Sequence, residues 1–235
     1  MIAPEPIRNT GTPAPRPRDA ATLIIYRPLK SRVEILMGLR NTSHKFLPDR
    51  YVFPGGGVER GDSRVRVASP ISQQTQNLLI RKTKIARARG LVAAAIRETF
   101  EETGLIVGGK DPNPGKSVPK NWSEFFQTGF APNLGDLNYI ARAVTPHWRP
   151  IRFNARFFMV NAENLTGVLQ GNGELLNLQY FDTEKALELE LPLITKRVLE
   201  LVAFRASKSA NHKASETDQI VLFKHNGKYH DMIKE

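Results

Sequence analysis

Three glutamates, Glu98, Glu101 and Glu102, occur together in the segment Arg97-Glu98-Thr99-Phe100-Glu101-Glu102-Thr103-Gly104-Leu105. A helix turns by about 100° per residue, so positions i, i+3 and i+4 place all three carboxylates on one face. Val92, Ile96 and Phe100 fall on the opposite face and suit packing against a sheet. Like charges at this spacing repel by a few tenths of a kcal/mol per pair. A hard divalent cation removes the repulsion and prefers oxygen ligands, and Mg²⁺ is the ion that makes physical sense of the cluster. The plainer alternative is a solvated acidic face with Arg97 paired to Glu101 one turn on. Acidic triplets are common on helices, so the triplet alone does not decide between the two.

A second segment supplies context. Phe53-Pro54-Gly55-Gly56-Gly57-Val58-Glu59-Arg60-Gly61-Asp62 reads as a glycine-rich turn leaving a strand. Glycines permit close backbone approach, so a carbonyl there can reach a metal or an amide can reach a phosphate. An ordinary tight turn is the alternative.

The elements that must position these residues are legible in outline. Residues 21–26 read as a buried strand, and residues 32–40 as a second one joined to it by a turn near residues 28–31. A short extended segment covers 51–54. A helix is expected over 87–103, stopped by Gly104 at its C-terminal end. Residues 108–121 read as loop, and 122–128 as a short helix. Strands are expected at 137–144, 152–160 and 175–181. Asp182 or Thr183 caps a helix through Glu190, and Pro192 opens another through about Arg205. A last hairpin is expected around Asn226-Gly227. Residues 1–18 read as a disordered tail and 19–235 as one α/β domain.

Composition narrows the classes. The 235 residues are 40% hydrophobic and 24% charged, ordinary for a globular protein. No run of 18 apolar residues exists, so no transmembrane helix is expected. Residues 1–18 lack the apolar stretch of a secretory signal, and the chain's last residues are not a peroxisomal address. Cysteine is absent, which removes disulfides and thiolate metal sites and suits a cytoplasmic setting. A net charge of +11 favours polyanionic partners. Between Ser63 and Gly90 lie Arg64, Arg66, Arg81, Lys82, Lys84, Arg87 and Arg89 without a single acid. This 63–90 stretch reads either as a solvated basic insertion or as a rim that attracts phosphate.

Taken together, the two segments resemble the Nudix box: Gly, five residues, Glu, seven residues, then Arg-Glu-hydrophobic-x-Glu-Glu-x-Gly-hydrophobic. Its second half is matched by Arg97, Glu98, Glu101, Glu102, Gly104 and Leu105, and its first half by Gly56, with Asp62 where the family usually has Glu. Thr99 occupies a usually hydrophobic slot. Spacing is the larger departure. Residues 63–96, 34 in all, stand where the pattern has seven, so an insertion of 27 residues splits the box. The split resembles the subgroup that includes the animal peroxisomal coenzyme A diphosphatases. Phe46-Leu47-Pro48-Asp49, Thr145-Pro146 and Arg156-Phe157-Phe158 are similar to that subgroup as well.

The resemblance implies an α/β/α sandwich with a central mixed β-sheet. It also implies an Mg²⁺ site, with Mn²⁺ as a substitute, built from Glu98, Glu101 and Glu102 with the Gly55 carbonyl as an extra ligand. Glu98 would also act on the attacking water, with Glu174 and Glu124 as candidates outside the box. Arg97 would brace the acidic residues, and Gly56, Asp62 and Gly104 would shape the box. For substrate phosphates the candidates are Arg40, Arg152 and Arg156, each weighed evenly against pairing with protein acids. Trp122, Trp148 and Phe153 are candidates for base stacking, though buried core aromatics are the commoner case. His44 and His147 receive no metal role.

The expected activity is hydrolysis of the diphosphate of a small nucleoside diphosphate derivative, with coenzyme A or acyl-CoA favoured. Competing readings are an ADP-ribose or nucleotide-sugar hydrolase, a capped-RNA hydrolase suggested by the charge, and a non-catalytic binding protein. The last usually lacks box glutamates, and all three are present here. The 63–90 insertion has two candidate roles, covering the site and joining a homodimer.

Overall fold

A computed structural model describes residues 11, 13–44, 46–111, 117–208, 220–225 and 230–234. The chain opens with strands β1 (Arg18–Pro28), β2 (Val33–Arg40), β3 (Tyr51–Val52) and β4 (Gly55–Gly57), followed by helices α1 (Gln73–Ile80) and α2 (Ile85–Thr103). Short strands β5 (Leu105–Ile106) and β6 (Gly108–Lys110) lead to helix α3 (Ser123–Gln127) and strand β7 (Phe130–Pro132). Then come β8 (Asn138–Val144), β9 (Phe153–Asn161), β10 (Thr166–Gly167) and β11 (Leu175–Asp182), helices α4 (Thr183–Leu187) and α5 (Leu193–Lys208), and strands β12 (Val221–His225) and β13 (His230–Lys234).

The main sheet runs β11-β2-β1-β9-β8-β12-β13, with β3 beside β2 and β4 beside β1. β1 lies parallel to β9 and β12 parallel to β8, whereas β1–β2, β2–β11 and β8–β9 are antiparallel. The sheet is therefore mixed. Strand β1 explains why its sequence is apolar without alternation. Ala21, Leu23 and Ile25 join one core with Leu91, Val92 and Ile96 of α2, while Ile24 joins another with Ala186 of α4 and Val198, Leu199 and Val202 of α5. A strand covered on both faces loses the polar half of its pattern. Helices on both sides of the sheet make this an α/β/α sandwich.

Helix α2 carries the acidic segment and lies against β1. Its residues Ala93, Ala94 and Ala95 are fully buried, and small side chains let the helix sit close to the sheet. It ends as expected: Gly104 adopts φ 72°, and its N–H donates to the Phe100 carbonyl at 2.8 Å. A Cβ at Gly104 would lie 2.6 Å from the Val168 carbonyl oxygen. Gly104→Ala therefore combines a left-handed backbone with a clash. It is expected to destabilise by roughly 1–2 kcal/mol or more, lowering Tm by about 2–4 °C per kcal/mol. A calorimetric melt checks this, and an unchanged Tm would contradict it.

Several expected boundaries move. Arg18 belongs to β1 rather than to a tail, because parallel pairing with Phe153 and a 2.9 Å bond from its N–H to the Arg152 carbonyl extend the strand. Residues 1–10 lie outside the described residues. Helix α2 begins at Ile85, two residues before the expected start. The stretch read as loop from 108 contains β6, which pairs with β7. Strands β12 and β13 pair antiparallel, while Asn226-Gly227 lies outside the described residues.

The insertion is a packed part of the molecule. Val65, Leu78 and Leu79 are buried in the α2-side core. Ser72 caps α1 by accepting from the Thr75 N–H, and the Thr75 hydroxyl donates to the Leu137 carbonyl at 2.9 Å. No helix among the described residues is long and apolar enough to cross a membrane.

Candidate active site

Asp62 organises the site from below. It is fully buried, and its oxygens accept from the Glu59 N–H at 2.7 Å, Arg97 Nε at 2.9 Å, Arg97 Nη2 at 3.1 Å, Trp122 Nε1 at 3.0 Å and Asn121 Nδ2 at 3.3 Å. The shorter Asp side chain thus serves at a position where the box pattern has Glu, with the 59–64 turn drawn in around it. Arg97 is buried in turn. Its Nη1 donates to Glu98 and Glu101, both at 2.9 Å, and its Nη2 donates to the Gly57 carbonyl at 2.8 Å. Burial opposes the guanidinium charge, but Asp62, Glu98 and Glu101 outweigh it and raise the pKa further. One fixed cation therefore aligns two of the three carboxylates.

Glu102 reaches the other way. Only 1% of it is exposed, and its Oε2 accepts from the Gly55 N–H at 2.9 Å. Its Oε1 is buried with no hydrogen-bond partner among the described residues. Glu98 packs directly over Gly56, where an added Cβ would fall inside the Glu98 carboxyl group. That close approach is the reason a glycine stands there. Thr99, in the usually hydrophobic slot, is fully buried and returns its hydroxyl to the Ala95 carbonyl at 2.8 Å, so it satisfies itself inside an apolar core. Phe100 meets Phe125 edge to face with ring centroids 5.2 Å apart.

Crowding and burial raise the carboxylate pKa values. Burial is the main cause that pushes the Glu98 carboxyl up to about 7, with Glu101 and Glu174 adding and Arg97 opposing. Glu102 is raised well above the ordinary carboxylate range, again by burial first, with Glu98 and Glu174 adding and the Gly55 N–H and Arg40 opposing. Glu101 is raised by burial, with Glu59 and Asp62 adding and Arg97 opposing. Among the described residues, no three His, Asp or Glu side chains form a ready-made metal cage. The donor set nonetheless suits a hard divalent cation: three clustered carboxylates with raised pKa values and one buried oxygen lacking a partner among the described residues.

Beside Glu98 opens a cleft of about 590 Å³, lined also by Arg18, Asp19, Gly57, Arg87 and Phe153. Asp19 ties its wall together, accepting from Arg87 Nε at 2.7 Å, Arg156 Nη1 at 2.9 Å and Asn154 Nδ2 at 3.0 Å.

Other expected residues lie apart from the cleft. Arg156 is 3% exposed and bonded to Asp19 and the Asn154 carbonyl. Arg152 donates to the carbonyls of Thr145 and Pro15. The structure thus shows the alternative weighed for both, pairing with protein acceptors, through Nε and Nη1 of Arg152 and through Nη1 of Arg156. Arg40 lies near Glu102 and contacts His44 at 3.3 Å, with its Nε buried and unpartnered among the described residues. Glu174 stands beside this group, 3.3 Å from His44 Nε2, while Glu124 is exposed at the start of α3. Trp122 is a core residue, as the commoner case has it; Phe153 is the stacking candidate that lines the cleft. The Arg97 fork reaches the Gly57 carbonyl, and Gly55 contributes its N–H to Glu102.

Comparison with known proteins places this geometry. No family model matches the chain, and no curated protein matches it. Among solved structures, the chain is similar to a NUDIX hydrolase from Alicyclobacillus acidocaldarius at 26% identity, covering 80% of this chain and 92% of that one, with a TM-score of 0.63. The chain has the fold of the Nudix hydrolases. Other similar structures include a putative NUDIX hydrolase from Listeria monocytogenes (14% identity, 81% and 94% covered, TM-score 0.46) and a C. elegans Ap4A hydrolase complex (18%, 80% and 99%, TM-score 0.41).

The segment that resembles a Nudix box is split in sequence and joined in space. Residues 63–84 leave after Asp62, pack through Val65 and α1, and return as α2. The Asp62–Arg97 and Glu102–Gly55 bonds then close the two halves. Sequence reasoning missed Arg18 and Asp19 as cleft residues and offered Arg87 only as one cation of a candidate phosphate-attracting rim. Arg18 looked like tail, and the pairing of β1 with β9 together with the packing of α2 on β1 brings the three to one cleft.

Proposed function

We propose that this enzyme hydrolyses the diphosphate linkage of a nucleoside diphosphate derivative with Mg²⁺, coenzyme A or acyl-CoA being the favoured substrate. The observation that carries the reading is the buried Asp62–Arg97 pair presenting Glu98 and Glu101 beside a Glu102 oxygen with no partner among the described residues. The split box supports the choice of coenzyme A.

Glu98, Glu101 and Glu102 would hold the cation, which supplies neutralisation of the charge that builds on the diphosphate. The chain's own groups do the rest. Arg97 keeps Glu98 and Glu101 oriented before substrate arrives, so little reorganisation is needed during the reaction. Arg18 and Arg87 line the cleft where phosphate oxygens would lie. Phe153 offers an apolar face there for a base. Glu98 lines the same cleft and would orient the attacking water and take its proton at the carboxylate. Glu174 is the alternative acceptor, and a slower rate with an altered pH profile in Glu174→Gln but not in Glu98→Gln would reassign that role.

Product analysis tests the reading. With Mg²⁺, coenzyme A is expected to give 3′,5′-ADP and 4′-phosphopantetheine. Brisk cleavage of ADP-ribose with none of coenzyme A would remove the substrate assignment and keep the diphosphatase.

The carboxylates also set a pH dependence. Glu98 has a folded pKa of about 7 against an ordinary 4.5, so the folded metal-free protein binds its proton more tightly than the unfolded chain. This contribution to stability is full below about pH 4.5 and is lost as pH rises through about 7. A bound cation replaces the lost protons. Ligand at about 100 times its Kd stabilises by about 2.7 kcal/mol, or about 5–11 °C for a chain of this size. Mg²⁺ is therefore expected to raise Tm by several degrees at pH 8 and by less than half as much at pH 5, where protons compete. An equal rise at both values would count against binding at these carboxylates.

A further inference from the structure

Glu59 lines the Glu98 cleft on one side and a second cleft, of about 460 Å³, on the other. The second cleft is walled by Arg60, Gly61 and Arg64 from the turn after β4, and by Lys120 and Asn121 from the segment before α3. Its charge is unusual for this molecule. Nearby cations are committed to protein partners: Arg66 to Asp111, Arg87 to Asp19, and Arg89 to the carbonyls of Ser63 and Val65. The side chains of Arg60, Arg64 and Lys120 have no ion-pair or hydrogen-bond partner among the described residues. Among the described residues Glu59 is the one acid lining the cleft, since Asp62 beneath it is buried and paired with Arg97.

The walls are also fastened. Asp62 accepts from Asn121 and Trp122 on one side and from Glu59 on the other. Gly61 lies so close to the Asn121 amide that a Cβ has no room. The carboxylate that aligns Arg97 thus sets the spacing of three uncommitted cations. The backbone segments that carry these cations are held together before an anion arrives, and guanidinium forks match phosphate oxygens.

We propose that this cleft binds a phosphate monoester that the substrate carries in addition to the diphosphate being cleaved. The inference rests on the reading of the Glu98 site as a diphosphate hydrolase. It selects a nucleotide with a ribose phosphate, as coenzyme A has at its 3′ position, over ADP-ribose and nucleotide sugars, which lack one. Adjacency through Glu59 is what such a substrate requires, because its monoester and its diphosphate sit on the same ribose.

The test uses the full chain and the variant Arg64→Gln/Lys120→Gln, whose side chains are exposed and make no bond among the described residues. Calorimetry without metal compares 3′,5′-ADP with 5′-AMP. The wild type is expected to prefer 3′,5′-ADP by about tenfold or more, and the double variant to lose that preference to within about twofold. With Mg²⁺, the variant is expected to raise KM for coenzyme A by about tenfold at unchanged kcat, while 3′-dephospho-coenzyme A keeps both constants within about twofold. Equal binding of the two nucleotides, or a preference that survives in the variant, overturns the proposal. So does a phosphorylated RNA oligomer that displaces 3′,5′-ADP with at least tenfold higher affinity, since the cleft would then belong to a polynucleotide. A selective, variant-sensitive preference without turnover of coenzyme A sustains the cleft and defeats the coenzyme A reading. Turnover without preference does the reverse.

Discussion

Glu102→Gln is expected to lower Mg²⁺-dependent turnover by about 10²–10³ while leaving the fold in place. The reasoning starts from its two oxygens. One holds the Gly55 N–H at 2.9 Å, a bond that the Gln carbonyl can keep. The other is buried, lacks a partner among the described residues and is the oxygen best placed to meet a cation. Gln keeps the volume, so α2 and β4 stay joined, but it removes the negative charge. Three measurements separate the effects: kcat at saturating Mg²⁺, the Mg²⁺-induced rise in Tm at pH 8, and circular dichroism of the metal-free protein. The first two should fall and the third should match the wild type. Glu101→Gln should act in the same direction with less effect on the fold, because that side chain is 36% exposed. Full activity in either variant would falsify the assignment of metal-dependent hydrolysis to this cluster.

Asp62→Ala is expected to be the most destabilising of the site substitutions. It leaves a guanidinium that is 3% exposed without its principal counter-charge, and breaking one side of a buried pair costs about 3–5 kcal/mol. For a chain of this size that lowers Tm by about 6–20 °C. Activity should fall as well, since Arg97 would no longer be held against Glu98 and Glu101. The double variant Asp62→Ala/Arg97→Met separates the two roles. It removes the unpaired charge and should recover much of the stability, yet it should remain inactive because nothing aligns the glutamates. Urea unfolding with steady-state kinetics reads both quantities. A loss below about 1 kcal/mol in Asp62→Ala would mean that the pair is compensated elsewhere.

How much of this was legible in the sequence depends on the range over which each signal acts. The α2 helix, its carboxylate face and its glycine stop were readable because helical period and left-handed termination are local properties. The longer strands and the buried character of β1 were readable for the same reason. The start of β1 at Arg18 was missed, because it is set by pairing with Phe153, far along the chain. Arg152 and Arg156 carried two equally plausible roles in the sequence. Their commitment to Pro15, Asp19 and neighbouring carbonyls appeared only when the strands were laid side by side.

From its sequence alone this chain determined one α/β domain, a box of residue types divided by an insertion, and three acids turned to one side of a helix; the sandwich on a mixed sheet came only through the resemblance of that box to the Nudix family. Only the tertiary structure decided that Asp62 would be buried beneath Arg97, that Glu102 would reach Gly55 across the division, and that Arg60, Arg64 and Lys120 would share a cleft beside Glu59. Period and propensity are set by neighbours a few residues away. The choice of partner for a buried charge depends on which distant segments the packed sheet brings within hydrogen-bond reach.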